Sequence, residues 1–125
     1  MKKLLFILLL LSAPLYAETS YEWTTQDTIL QSIVIGTILM DCWQTYTFLY
    51  TGDYRERGFY ETNPILGKYP SKKRYFIYWP SCVLIHTSIS YLLPKPYRTI
   101  WQSVWIGIEI KYIHLNYSCG VRTKF

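Results

Sequence analysis

Asp41-Cys42-Trp43-Gln44-Thr45 sets a carboxylate and an amide inside a run that otherwise has the length and apolarity of a membrane-spanning helix. An ionisable side chain at membrane depth is costly, so it turns toward protein or trapped water and marks a functional or specifying site. Outward from this stretch, the first predicted span covers residues 28–50. At about 100° per residue, Thr37, Asp41, Gln44 and Thr45 fall on one narrow face, while Ile38, Leu39, Met40 and the later aromatics cover the rest. Thr24-x-x-Asp27, just before it, has the spacing of a helix N-cap box.

Two further windows read as spans, residues 75–93 and 99–118. Pro80 sits inside the second, where it kinks the helix or caps a shorter one. Pro94-Lys95-Pro96 reads as a rigid, extended break, and Thr99-x-x-Gln102 as the box that restarts the helix. The third window is the least apolar, carrying Gln102, Glu109, Lys111, His114 and Asn116, so it needs partners inside a bundle. Gln102, Trp105, Glu109 and Asn116 share a face, and Gly107 beside it is small enough to admit a neighbouring helix closely. The expected fold is therefore all-α, a bundle of three transmembrane helices in one domain, residues 18–125. It follows a secretory signal peptide at residues 1–17, with its basic start, apolar run and Ala17 before the cut. Leu15 is large for the position three before cleavage, so an uncleaved anchor is the alternative.

Half of the 125 residues are hydrophobic and 18% aromatic, yet the mean hydropathy is only +0.06, because charges crowd into the connections. A soluble, exported helical domain is the competing class. The formal charge of +5 falls to +3 when Lys2 and Lys3 are removed with the leader, and the remaining basic residues flank the spans, so no nucleic acid is implied. Arg55, Arg57, Lys68, Lys72, Lys73 and Arg74 lie in or at the edge of the first connection and Arg122 with Lys124 at the end, against Lys95 and Arg98 in the second connection. That asymmetry places the chain in the bacterial inner membrane with its N-terminus outside and its C-terminus cytoplasmic. Cys42, Cys82 and Cys119, an odd set without a CxxC, read as buried thiols.

Each span presents one polar face. If Asp41 and Glu109 lie about 10 residues, and His86 about 12, from the cytoplasmic ends of their helices, then at about 1.5 Å per residue the three share one level. Two carboxylates and an imidazole there would bind a divalent metal, relay protons or act as an acid and base pair. The bland alternative is a hydrogen-bonded glue that fixes helix register. No HExxH, GxSxG or P-loop occurs, so the residues specify neither a metal nor a cofactor. In the first connection, Asn63 reads as N-cap and Pro64 as the first residue of a short helix ended by Gly67. Folded back, this loop would bring Glu61 and Asn63 toward Gln44 and Thr45.

Taken together, Asp41-x-x-Gln44-Thr45, Glu61-Thr62-Asn63-Pro64-Ile65-Leu66-Gly67, Tyr91-Leu92-Leu93-Pro94, Trp105-Ile106-Gly107 and Asn116-Tyr117 resemble a group of short uncharacterised helical membrane proteins of bacteria and their phages. The resemblance spans about residues 37–120. It implies a small helical membrane protein with Asp41, Thr45, Glu61, Asn63 and Pro64 as motif residues, and it implies no activity. The role expected is that of a non-enzymatic accessory, meeting the lipid bilayer and membrane protein partners or itself. The alternative is a membrane-embedded hydrolase or isomerase of a lipid-like substrate using Asp41, Glu109 and His86.

Overall fold

Residues 20–122 are described by the computed structural model, and the leader expected at residues 1–17 lies outside them. The fold is all-helical: α1 (Thr25–Tyr50), α2 (Lys72–Leu92) and α3 (Lys95–Ser118), with no strand among the described residues. Each start has a local cause. Thr24 caps α1 through the reciprocal box with Asp27, so the helix begins three residues before the expected span. Ser71 caps α2 by accepting the Arg74 amide at 3.2 Å.

The third start differs from expectation. The extended break is present but shorter than expected and lies at Leu93 and Pro94; Pro94 is itself the N-cap, and α3 begins at Lys95 with Pro96 inside its first turn. A proline in the first turn sacrifices no hydrogen bond, because those amides have no helical acceptor. Thr99 consequently lies one turn inside α3, where its hydroxyl bonds the Lys95 carbonyl at 3.1 Å instead of capping.

The register follows from side-chain bonds. Asp27 meets Arg98, Gln31 meets Gln102 and Asp41 meets Asn116, so α1 and α3 run parallel and make the main helix pair. Gln31 meets His86 while Cys42 meets Tyr75, so α2 runs antiparallel to α1. Residues 51–71 do not simply bridge the ends. The Tyr50 hydroxyl bonds the Pro70 carbonyl at 2.8 Å, and with Tyr75 opposite Cys42 the first residue of α2 lies level with about Thr45. The loop thus climbs back beside α1, with Leu66 buried beneath it.

The interior is rich in polar groups, and the surface mixes charged side chains with many large hydrophobic ones. Among the described residues nine buried side chains are polar or charged and nine are apolar, Pro70 included, whereas 21 large hydrophobic side chains are exposed. Leu84 is 68% exposed, Ile33 44% and Phe76 59%, while Arg98, Asp27 and Gln102 are wholly covered. No helix among the described residues is long and apolar enough to cross a membrane. At 26, 21 and 24 residues the helices have the length; polar side chains turned into the bundle and exposed ones such as Lys73, Lys111 and His114 together lower their apolar average. Gly107 makes no close approach, since a Cβ there would meet open space. Cys42 and Cys82 are half-buried, but Cys119 is exposed, contrary to its reading as a buried thiol.

Candidate functional site

The polar interior forms two clusters stacked along the bundle. The outer one is built on Arg98, at the start of α3. Its Nη1 donates to Asp27 Oδ2 at 3.0 Å and to the Glu22 carbonyl at 3.1 Å. Nη2 donates to the carbonyls of Tyr21 and Leu93, and Nε to that of Ser90 at 2.8 Å. All five N–H groups of the guanidinium are therefore used. The Ser90 bond has a particular origin: in a continuing helix that carbonyl would accept the amide of residue 94, which is Pro94 and has no N–H. Arg98 replaces the missing donor. It also lies 4.9 Å from the centre of the Trp23 ring, which stacks on Tyr91.

Asp27 answers this charge from the first turn of α1. Burial raises its carboxyl, but the Thr24 amide and hydroxyl and the Arg98 guanidinium outweigh that effect and hold it below its ordinary range. One turn further in, Gln102 donates to Gln31 Oε1 at 3.1 Å and to the Asp27 carbonyl at 3.2 Å. Gln31 Nε2 in turn reaches His86 Nδ1 at 3.2 Å and the Thr87 hydroxyl at 3.0 Å. His86 is sandwiched by aromatics, stacked on Trp101 and edge-on to Trp105.

The inner cluster contains the residues singled out by the sequence. Asn116 Nδ2 donates to Asp41 Oδ1 at 2.9 Å and to Gln44 Oε1 at 3.2 Å, and Gln44 Nε2 donates to the Ile113 carbonyl at 3.3 Å. Thr45 is buried beside them. Glu109 is 6% exposed, and its Oε2 is buried without a hydrogen-bond partner. Glu109 on α3 and Glu61 in the loop both act electrostatically on the Asp41 carboxyl.

His86 does not stand at that level. It lies opposite Gln31, and Asp41 is ten residues further along α1, about 15 Å at 1.5 Å per residue. Counting from helix ends places the three at one depth only if the ends are level, and the climbing loop makes them unequal. Asp41 and Glu109 remain together; His86 belongs to the outer cluster. Among the described residues no three or more His, Cys, Asp or Glu side chains are arranged to hold a metal ion.

The loop over residues 61–67 is held against α2. Asn63 Oδ1 accepts the Ile65 amide at 2.9 Å and Gly67, at φ 82°, donates back to the Asn63 carbonyl at 2.9 Å. The expected cap chemistry is present, but it makes a single turn and no helix. Asn63 Nδ2 also donates to the Tyr78 hydroxyl at 2.6 Å, pinning the loop to α2 rather than to Gln44 or Thr45. Glu61 Oε1 accepts the Asn63 amide at 2.8 Å. Burial pushes the Glu61 carboxyl up, and the Asn63 and Thr62 amides pull it part of the way back.

Sequence reading missed Arg98, Asp27 and Gln31 as site residues. A signal for the first two was present: helices one and three of an up-down-up bundle start at the same end, so opposite charges in their first turns meet. Tyr78 carried no comparable sign. Comparison with protein families, curated proteins and solved structures finds no match for this chain.

Proposed function

We propose that this chain is a small integral protein of the bacterial inner membrane, with its N-terminal side outside and its C-terminus cytoplasmic, acting as a non-enzymatic accessory through lipid and protein contacts. The observation that carries this reading is the polar interior beneath many exposed hydrophobic side chains: Asp27, Arg98, Gln31, Gln102, Gln44 and Glu109 inside, and Ile33, Leu39, Phe76, Leu84, Ile85 and Ile108 outside. Water would reward the opposite arrangement, since burying apolar area drives folding there. In lipid the exposed side chains are solvated and the polar groups supply the glue between helices. Helices of 21 to 26 residues extend about 32 to 39 Å at 1.5 Å per residue, enough for a hydrocarbon core of about 30 Å.

The orientation draws on charge. With Arg98 buried against Asp27, only Lys95 remains as an available cation beside the α2–α3 connection, against a basic 51–74 connection. Membrane fractionation tests the reading: the protein should resist an alkaline carbonate wash and leave the pellet only with detergent. Release into the carbonate supernatant would overturn it. Orientation is read at Cys119, which an impermeant maleimide should label only after the inner membrane is opened.

A second reading, a hydrolase or isomerase of a lipid-like substrate, rests on the unpartnered Oε2 of Glu109 beside Asp41. Lipid profiles of cells making the wild type and Asp41→Asn at equal levels separate the two. A lipid change lost in the variant supports the enzyme; identical profiles with and without the protein sink it.

A further inference from the structure

On the side of α1 and α2 turned away from α3 runs an open groove. Its inner part, about 490 Å³, is walled by Leu39, Phe76, Pro80, Val83 and Leu84 and is almost wholly apolar. It shares Leu39, Cys42, Tyr75 and Phe76 with a wider part of about 950 Å³ that opens beside Tyr54, Arg57 and Arg122. These volumes lie within the range of small-molecule sites. From Tyr75 to Thr87 the inner part follows α2 for about 18 Å at 1.5 Å per residue, close to the roughly 15 Å depth of one leaflet.

The mouth is built around one tyrosine. The Arg57 guanidinium lies 4.6 Å from the centre of the Tyr54 ring, and the Tyr54 hydroxyl accepts the Arg122 amide at 3.1 Å. The Arg122 side chain is steadied by the Tyr117 carbonyl, 2.7 Å from Nη1. Asp53 faces Arg57 at 3.3 Å, but both partners are exposed, and such a pair is easily exchanged for a stronger one. Two arginines at the wet end of an apolar furrow match a phosphodiester carrying an acyl chain: guanidinium groups engage phosphate oxygens in pairs, while the chain lies along the wall. We propose that this groove binds an anionic phospholipid of the cytoplasmic leaflet, its phosphate between Arg57 and Arg122 and one acyl chain between α1 and α2. The proposal rests on the membrane reading above.

Native mass spectrometry of the detergent-purified protein, titrated with phosphatidylglycerol or phosphatidylcholine, tests it. One phosphatidylglycerol should be retained with about a tenfold or greater preference, the scale expected of two basic residues at an anionic surface. The double variant R57Q/R122Q should lose that preference, Val83→Trp should lower retention of both lipids, and Lys95→Gln, at the opposite end of the bundle, should change nothing. Equal retention of the two lipids, a preference that survives in R57Q/R122Q, or a lipid-free dimer covering the groove would each overturn the lipid site. A protein that carbonate washes from membranes overturns the membrane reading as well, whereas one that stays but shows no preference overturns the lipid site alone.

Discussion

Replacing Arg98 should do more damage than any other single substitution at the outer end of the bundle. Its five donors serve Asp27 Oδ2 and the carbonyls of Tyr21, Glu22, Ser90 and Leu93, and neither the Arg98 nor the Asp27 side chain has any exposed surface. Arg98→Gln strands the Asp27 carboxylate, and breaking a buried pair by removing one partner costs about 3–5 kcal/mol. Arg98→Lys keeps the charge but has three donors for five acceptors. At least two acceptors go unpaired, at about 1–3 kcal/mol each. An apolar replacement of both partners, often neutral in other proteins, should still be costly here because the Ser90 carbonyl cannot recover a helical partner from Pro94. Asp27→Asn/Arg98→Gln should cost less than the sum of its singles by about 0.5–3 kcal/mol, the range for residues in direct contact. The assay is unfolding in detergent followed by circular dichroism. The pH dependence has a definite sign: the Asp27 carboxyl is depressed on folding, so its contribution is fully present above its unfolded value of about 4 and lost as pH falls through the lower folded value. An Arg98→Gln protein within 1 kcal/mol of wild type would refute the reasoning, since that is below the smallest penalty expected.

Three further outcomes follow from the same geometry. Gln102→Leu removes the bonds to Gln31 and to the Asp27 carbonyl and should cost about 1–3 kcal/mol in the same unfolding assay. Asn63→Ala frees the loop from Tyr78 and from its own turn; limited proteolysis should then cut residues 51–71 about five- to thirtyfold faster, for a local loss of about 1–2 kcal/mol. Ile33→Lys places a charge on an exposed position two turns into α1, and in lipid it should cost less than the roughly 2.5–3.5 kcal/mol of a span's centre but still reduce membrane accumulation. If accumulation and stability are unchanged, Ile33 faces water and the lipid-exposed surface is wrong.

How far the site was legible in the sequence can be judged residue by residue. The angular count placed Asp41, Gln44 and Thr45 on one face and Gln102, Glu109 and Asn116 on another, and the structure joins those faces through the bonds of Asn116 to Asp41 and to Gln44. The Thr24 and Asp27 box was readable because capping is local chemistry within four residues. The depth of His86 was not, since a count from helix ends carries no information about a loop that climbs. The start of α3 was misread for a related reason: Pro94 and Pro96 break a helix interior but suit its first turn, and only the surrounding contacts decide which applies.

What the sequence determined by itself was helix content, the polar face of each helix and the Thr24 cap, because periodicity and capping depend on neighbours within a turn or two. Tertiary structure alone decided that Arg98 is an internal strut rather than a surface charge, and that His86 joins Gln31 while Asp41 joins Asn116 and Glu109. Those assignments depend on axial register between helices, which the rejoined carbonyl of Ser90, the buried Asp27 pair and the folded loop at Asn63 set together.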